Sequence, residues 1–403
     1  MKRYKILAFT YLLICALIIG ALTGLYLNTI NFVIHLVWHT IPHMIHLSVQ
    51  WRVPVICMSF SLFIGLAQKY IGPYPLTIAE ILDETKIKGY FPYSNWKKIL
   101  FSGLLILGSG ASIGPEASAS GLVAGMVYWF GCRFKLIYDQ AANYEQQSLS
   151  NQLRAIVLTK YNQEQHSQTL DQYFSNKKEH QLFVWGWTII GLVGFFVYFH
   201  FFPQEGVIGL HHPAIHWQWQ GIFLVLPAII VGWVFGYFFV KVSLLSERWL
   251  GSREWIIVKA IAGGILLVAA ASFSRDILFS GEFSIVPFVH QSLKMSPLFL
   301  ILFAVIKTIV TNAGFALGWR GGTIFPAIFS SLAIGAALAQ AFPWMPRLTA
   351  SLVVATAITI ILEKPIISAL VLILLLPVQF SIFIILVCLF VSWLVKKYPV
   401  LRP

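Results

Sequence analysis

Glu116 follows Gly114 and Pro115 at the head of an apolar, small-residue segment (Ala117, Ser118, Ser120, Gly121, Ala124, Gly125), with no cation beside it in sequence. A carboxylate at membrane depth is expensive and is by default a functional residue. At a helix start, N–H groups and the positive end of the dipole converge, so such a group can occupy an anion site itself. Protonation would neutralise it and vacate the site, letting one acid gate anions and carry protons. A second start of this kind lies about 200 residues on, where Gly321-Gly322-Thr323-Ile324-Phe325-Pro326 opens another small-residue run (Ser330, Ser331, Ala333, Gly335, Ala336, Ala337). Glycine lets the backbone approach a ligand closely, and proline fits a first helical turn, where its missing N–H costs nothing. Backbone amides hold an anion without a full positive charge, whereas a bare Lys or Arg would retain the ion too long for permeation. The bland alternatives are a capping acid at the interface and Gly/Pro pairs that merely end loops.

Other reactive types are less ordered. His39, His43 and His46 are spaced i, i+4, i+7 around Pro42, and His211, His212 and His216 lie beside Trp217. A metal site needs imidazoles converging on one ion, so both groups read as interfacial histidines. Gly108-Ser109-Gly110-Ala111-Ser112 resembles the nucleophile loop of intramembrane serine proteases, which would need a histidine base on a neighbouring helix. Cys15, Cys57, Cys132 and Cys388 lie in or beside apolar runs, without metal spacing or a disulfide framework.

These residues sit in a chain of 403 residues that is 58% hydrophobic and 11% charged, with mean hydropathy +0.78. A soluble domain carries roughly twice that share of charge, so a multi-pass integral membrane protein is expected. The net charge of +13 (28 Lys and Arg against 15 Asp and Glu) fits basic loops, anionic headgroups and anionic solutes rather than nucleic acid. Met1-Lys2-Arg3-Tyr4-Lys5 has the charge of a signal-peptide start, but the apolar stretch from Ile6 to Tyr26 is too long for one. It reads as a first span with a cytoplasmic N-terminus, in a bacterial inner membrane.

Apolar runs fall near 6–27, 53–70, 99–113, 119–134, 183–202, 221–245, 256–273, 298–316, 324–342, 348–362 and 365–395. Several are too short to cross a hydrocarbon core that takes about 20 helical residues. Broken helices survive at that depth only where they are buried in protein or line a cavity, a pattern of transporters and channels. Residues 138–182 are polar and read as a cytoplasmic insert; Leu149, Leu153, Ile156 and Val157 predict a surface helix there. The organisation expected is first-half helices over 1–137, the insert, and the remaining helices over 183–403, with an internal repeat relating the two Gly/Pro starts.

Gly114-Pro115-Glu116-Ala117-Ser118 resembles the G-[KR]-E-G-P motif of the CLC chloride channels and proton-coupled chloride transporters, and more closely a divergent G-P-E-A-P branch. Gly322-Thr323-Ile324-Phe325-Pro326 is similar to that family's G-I-F-A-P motif, Ser280-Gly281-Glu282-Phe283-Ser284-Ile285-Val286-Pro287 to its S-G-G-G-F-x-x-I-P loop, and Lys307 to an intramembrane basic position. The resemblance covers about 55–135 and 220–395. It implies Glu116 as the gate, and an anion held by residues Gly114, Pro115, Ala117, Gly322, Thr323, Ile324, Phe325 and Pro326. Ile71-Gly72-Pro73-Tyr74-Pro75 stands where the family reads G-S-G-I-P; Pro75 matches the motif's proline, the anion-coordinating serine is absent, and the resemblance implies Gly72 or Tyr74 in its place, with Pro73 between them as a further anion-binding candidate.

Two further departures concern proton and pore residues. The two helices after the gating helix have no counterpart, and Glu145, Glu164 and Glu179 are candidates for the proton relay by region alone. The helix carrying the family's pore tyrosine is also without a match; Tyr398 lies near that place, and the better register puts Leu401 there. The resemblance therefore implies an all-α polytopic bundle of two inverted repeats with broken and re-entrant helices, a shortened CLC-like fold. It implies transport of small anions, chloride foremost and protons second, by a homodimer in the lipid bilayer without a cofactor. The alternatives are a non-conducting scaffold of the same fold and, more distantly, the serine protease.

Overall fold

The computed structural model describes residues 2–158, 170–203, 213–282, 284–342 and 344–398. Helices dominate. α1 (Lys2–His35) runs on through a π-helical turn at Leu36–Thr40 into the short α2 (Ile41–Met44), and α3 (Val49–Tyr70) follows. Next come α4 (Ile78–Lys88), α5 (Trp96–Gly108), α6 (Glu116–Tyr144), α7 (Leu149–Leu158) and α8 (Lys177–Phe201). The rest comprises α9 (Val225–Leu250), α10 (Ile256–Ala271), α11 (Ile285–Ser292), α12 (Pro297–Ala316), α13 (Ile324–Ala341), α14 (Pro346–Leu362), α15 (Pro365–Ile373) and α16 (Ser381–Lys397). Among the described residues, seven helices are long and apolar enough to cross a membrane by length and composition.

The chain divides into two compact units. The first comprises Met1–Val33, Tyr74–Leu104 and Pro115–Gln204; the second comprises Ile34–Pro73, Leu105–Gly114 and Glu205–Pro403.

In the first unit α1 and α8 meet through glycine. A methyl group on Gly20 would run into the carbonyl of Gly191, and one on Gly194 into the carbonyl of Leu17. Lipid supplies no hydrophobic drive between helices, so close backbone contact of this kind is what holds them. α6 joins the same group, and the Tyr4 hydroxyl donates to the Ile137 carbonyl at 3.3 Å. α8 is otherwise the barest span, with only 6% of its most apolar window buried.

α13 is the buried centre of the second unit, with 72% of its window covered. Its run of Ser, Ala and Gly lets neighbours close in; a Cβ on Gly335 would meet Ala350 Cα at 2.7 Å. α9 and α14 approach in the same way, with Gly232 against Val353 and Gly236 against Ala357.

The apolar run at 365–395 holds two helices: α15 ends at Ile373, and Pro377 stands in the turn before α16. Proline has no N–H and clashes with the preceding turn, so a helix cannot continue through it. The helix expected within 138–182 is present as α7, yet Leu149, Leu153 and Val157 are exposed while Gln152, Ala155 and Ile156 are buried. Gln152 sets that face. Its side chain donates to the carbonyls of Tyr144 and Glu145 and accepts from Arg3, which a leucine could not do.

Candidate functional site

The loop after α5 is pinned on every side within the second unit. Gly110 has a φ of 84°, a left-handed conformation natural to glycine, and the Trp38 ring covers it. The Trp38 indole donates to the Gly108 carbonyl at 2.9 Å, and the Phe279 amide donates to the Gly110 carbonyl at 2.9 Å. The hydroxyls of Ser112 and Thr311 pair at 3.0 Å, and Ser109 donates to Ile106. Both serines of the protease-like loop are thus engaged in holding backbone and neighbouring helix in place.

This loop delivers Gly114 to Gly322. The Gly114 amide donates to the Gly322 carbonyl at 2.7 Å, and the Gly322 amide returns a bond to the Gly114 carbonyl at 2.9 Å, an isolated antiparallel bridge. Beyond it α13 begins, with Thr323 as N-cap and Ile324, Phe325 and Pro326 as its first residues. A helix has no carbonyl of its own for its first N–H groups. Here those groups belong to Thr323, Ile324 and Phe325, since Pro326 has none. Thr323 and Ile324 are half-buried, and Phe325 and Pro326 are buried. Because the amides of Gly114 and Gly322 serve each other, the donors that face an anion are those of Thr323 and Ile324, at the positive end of the α13 dipole.

Lys307 supports the same unit. It is wholly buried in α12, and its ammonium donates to the carbonyls of Asp276 (2.9 Å), Ile277 (3.1 Å) and Phe279 (3.0 Å). Its Nζ also lies 5.1 Å from the centroid of the Phe329 ring. A buried ion is tolerated only when its hydrogen bonds are satisfied, and three carbonyls satisfy this one. The lysine thereby fixes the 276–279 turn, and Phe279 in turn holds Gly110. Gly281, with a φ of 89°, backs onto the Phe329 ring; Phe283 of that motif lies outside the described residues.

Gly72 and Pro73 belong to the second unit as well. Gly72, at a φ of 113°, closes α3 by donating its amide to the Ala67 carbonyl at 3.3 Å. Pro73 has no amide to offer. Neither supplies a free backbone donor in this conformation.

Tyr74, Pro115, Glu116 and Ala117 belong to the first unit. Pro115 is the N-cap of α6 and Glu116 its first residue; Pro115 accepts from the Ser118 hydroxyl at 3.0 Å and from the Ala119 amide at 2.8 Å. Glu116 is half-buried, and Pro115, Ala117 and Ser118 are buried. In the chain each paired glycine is followed, two residues on, by the first residue of a helix: Glu116 after Gly114 and Ile324 after Gly322.

The structure thus brings Gly114, Gly322, Thr323, Ile324, Phe325 and Pro326 together. Of the relay candidates, Glu145 caps the end of α6, and Glu179 accepts from the Ser175 amide at the start of α8, while Glu164 lies outside the described residues. Tyr398 is the exposed C-cap of α16, and Leu401 lies outside the described residues. His39 stacks on His35 at 5.2 Å, and His211 and His212 lie outside the described residues. Among the described residues no three metal-ligating side chains converge. Sequence reasoning missed the reciprocal glycine pair, the Ser112–Thr311 contact and the cage of Lys307. A lysine in an apolar span was a visible signal for the last, though its partners are remote in sequence.

The model of the voltage gated chloride channel family matches residues 178–396. Among solved structures, the chain resembles a CLC-type fluoride/proton antiporter at 16% identity, covering 97% of this chain and 96% of that one, with a TM-score of 0.63. It also resembles a slow cyanobacterial Cl−/H+ antiporter at 15% identity, covering 97% and 95%, with a TM-score of 0.71. A eukaryotic CLC transporter matches at 15% identity, covering 97% and 72%, with a TM-score of 0.59. No curated protein matches in sequence.

Proposed function

Because the chain belongs to the voltage gated chloride channel family, we propose that it carries small anions, chloride foremost, across the membrane it spans. The observation that carries this reading is the start of α13, where the reciprocal Gly114–Gly322 pair precedes the N–H groups of Thr323 and Ile324. Those amides attract a negative ion without the grip of a full charge.

Glu116 is proposed as the gate. As the first residue of α6, its carboxylate competes with the anion when ionised and yields when protonated. Proton-coupled exchange is the form we favour, since two of the similar structures are named as proton antiporters, one of fluoride and one of chloride. Gly72 and Pro73 are assigned to the lining of the path rather than to amide donation, since Gly72 spends its N–H on Ala67 and Pro73 has none; Tyr74 is kept as a candidate anion-binding residue. Residues 138–182 are assigned to the cytoplasm together with the N-terminus, in a bacterial inner membrane. A homodimer with one pathway per subunit completes the proposal.

The test is anion flux from proteoliposomes at several pH values, wild type beside Glu116→Gln. Wild-type flux should rise as pH falls, and the variant should be fast and flat with pH. Equal rates and equal pH responses in the two proteins would remove Glu116 from the gate. An absence of flux from both folded proteins would favour the non-conducting scaffold. Substituting fluoride for chloride in the same vesicles settles the preferred ion.

A further inference from the structure

Within the first unit a cavity of about 500 Å³ opens among α1, α5 and α6, and its lining is almost wholly apolar, with Leu22, Leu25, Leu100 and Leu104 along its walls. That volume falls in the range of about 300–1,000 Å³ typical of small-ligand sites. α5 and α6 run antiparallel beside it, with Gly103 against Ser118, Ile99 against Gly121 and Tyr93 against Gly125. The cavity therefore has two chemically distinct ends. Tyr26, whose hydroxyl meets Gly103, marks the end near the start of α6. Tyr93, Trp96 and Trp129 mark the other.

Cations gather at the aromatic end. The ammonium of Lys97 lies 5.7 Å from the centroid of the Trp96 ring, and the guanidinium of Arg133 lies 5.4 Å from that of Trp129. Lys98 lies over Tyr74 at 5.6 Å. Lys97 and Lys98 are exposed, and among the described residues neither forms an ion pair. None of the three acids of neighbouring α4 forms an ion pair with them: Asp83 and Glu84 pair with Lys86 and Lys88, and Glu80 accepts from the Thr77 amide and hydroxyl at the helix cap. Tryptophan with lysine is the usual furniture of the membrane–water boundary. An apolar slot that ends there, beside unneutralised positive charge, matches a molecule with a hydrocarbon tail and an anionic head.

We propose that this cavity holds one acyl chain of an anionic phospholipid, with the phosphate of its headgroup beside Lys97 and Lys98. The tail fills the space between α1, α5 and α6, and the two lysines select the charge of the head. The proposal stands apart from the anion pathway and is read by binding alone.

Native mass spectrometry of the detergent-solubilised full chain tests it, titrated with phosphatidylglycerol or with phosphatidylcholine of the same acyl chains. Phosphatidylglycerol should be retained preferentially, and Lys97→Gln with Lys98→Gln should cut that preference about fivefold per lysine. Leu25→Trp, which fills the slot and leaves both lysines, should lower retention of both lipids. Soluble glycerol phosphate should displace neither. Equal retention of the two lipids by wild type would overturn the proposal. So would an unchanged preference in the double variant, full retention in Leu25→Trp, or displacement by glycerol phosphate, which would mark a site for free anions. A circular-dichroism melt of each variant separates lost binding from lost fold.

Discussion

Ile113 lies so close over Gly321 that a methyl group on the glycine would overlap the isoleucine side chain, one residue before each partner of the Gly114–Gly322 bridge. The site backbone is therefore shaped by a missing side chain. Overfilling a packed position costs about 1–3 kcal/mol, and Gly321→Ala should lower the detergent melting temperature accordingly. Combining it with Ile113→Val, which removes the overlapping Cδ1 for about 0.5–1.5 kcal/mol of its own, should recover part of the loss. If the double variant melts no higher than Gly321→Ala alone, the contact is not what constrains the glycine.

Lys307→Met should be among the most destabilising single changes in the chain. It strands the carbonyls of Asp276, Ile277 and Phe279 in an apolar interior, at about 1–3 kcal/mol for each group left unsatisfied. The measurement is the yield of monodisperse protein and its thermal unfolding, beside Lys241→Met on α9 as control. Similar behaviour of the two variants would mean that the buried ammonium is dispensable.

Gly194→Val should detach α8 from α1, since a side chain there runs into the backbone of Leu17. Cys15 gives the readout. It is buried on α1 in a cluster against which Trp187 and Ile190 of α8 pack. With the other three cysteines replaced by serine, Cys15 should resist a membrane-permeant maleimide in the parent and react at least severalfold faster in the variant, as expected of a locally opened segment. Unchanged labelling would show that α8 is held elsewhere.

Thr77→Ala removes one half of a capping box at the start of α4, where Thr77 and Glu80 exchange hydrogen bonds. Loss of such a cap costs about 1 kcal/mol. Amide hydrogen exchange across 78–88 should quicken roughly fivefold, while exchange in α13 stays as it was. A change spread over both helices would count against a local role.

Much of this architecture could be read in the residues themselves. Long apolar runs foretold α3, α8, α12 and α13, and Gly322 with Pro326 marked where α13 opens. Pro377 lies inside one continuous apolar run, so hydropathy alone does not report that it separates α15 from α16. Pattern failed where polarity and burial part company. Gln152 faces inward because its amide has carbonyls to bind, and no periodicity of hydrophobic residues reports that. Nor could spacing show that Gly114 and Gly322 bond to each other, because neither has a side chain to signal a partner some 200 positions away.

The Gly114–Gly322 tie is written in main chain alone, so it carries no signature that drift elsewhere could erase. Any sequence that keeps two unhindered backbones at those places can remake it, whatever else it exchanges. Such a joint is well suited to outlast divergence down to the 15–16% identity at which this architecture is still shared.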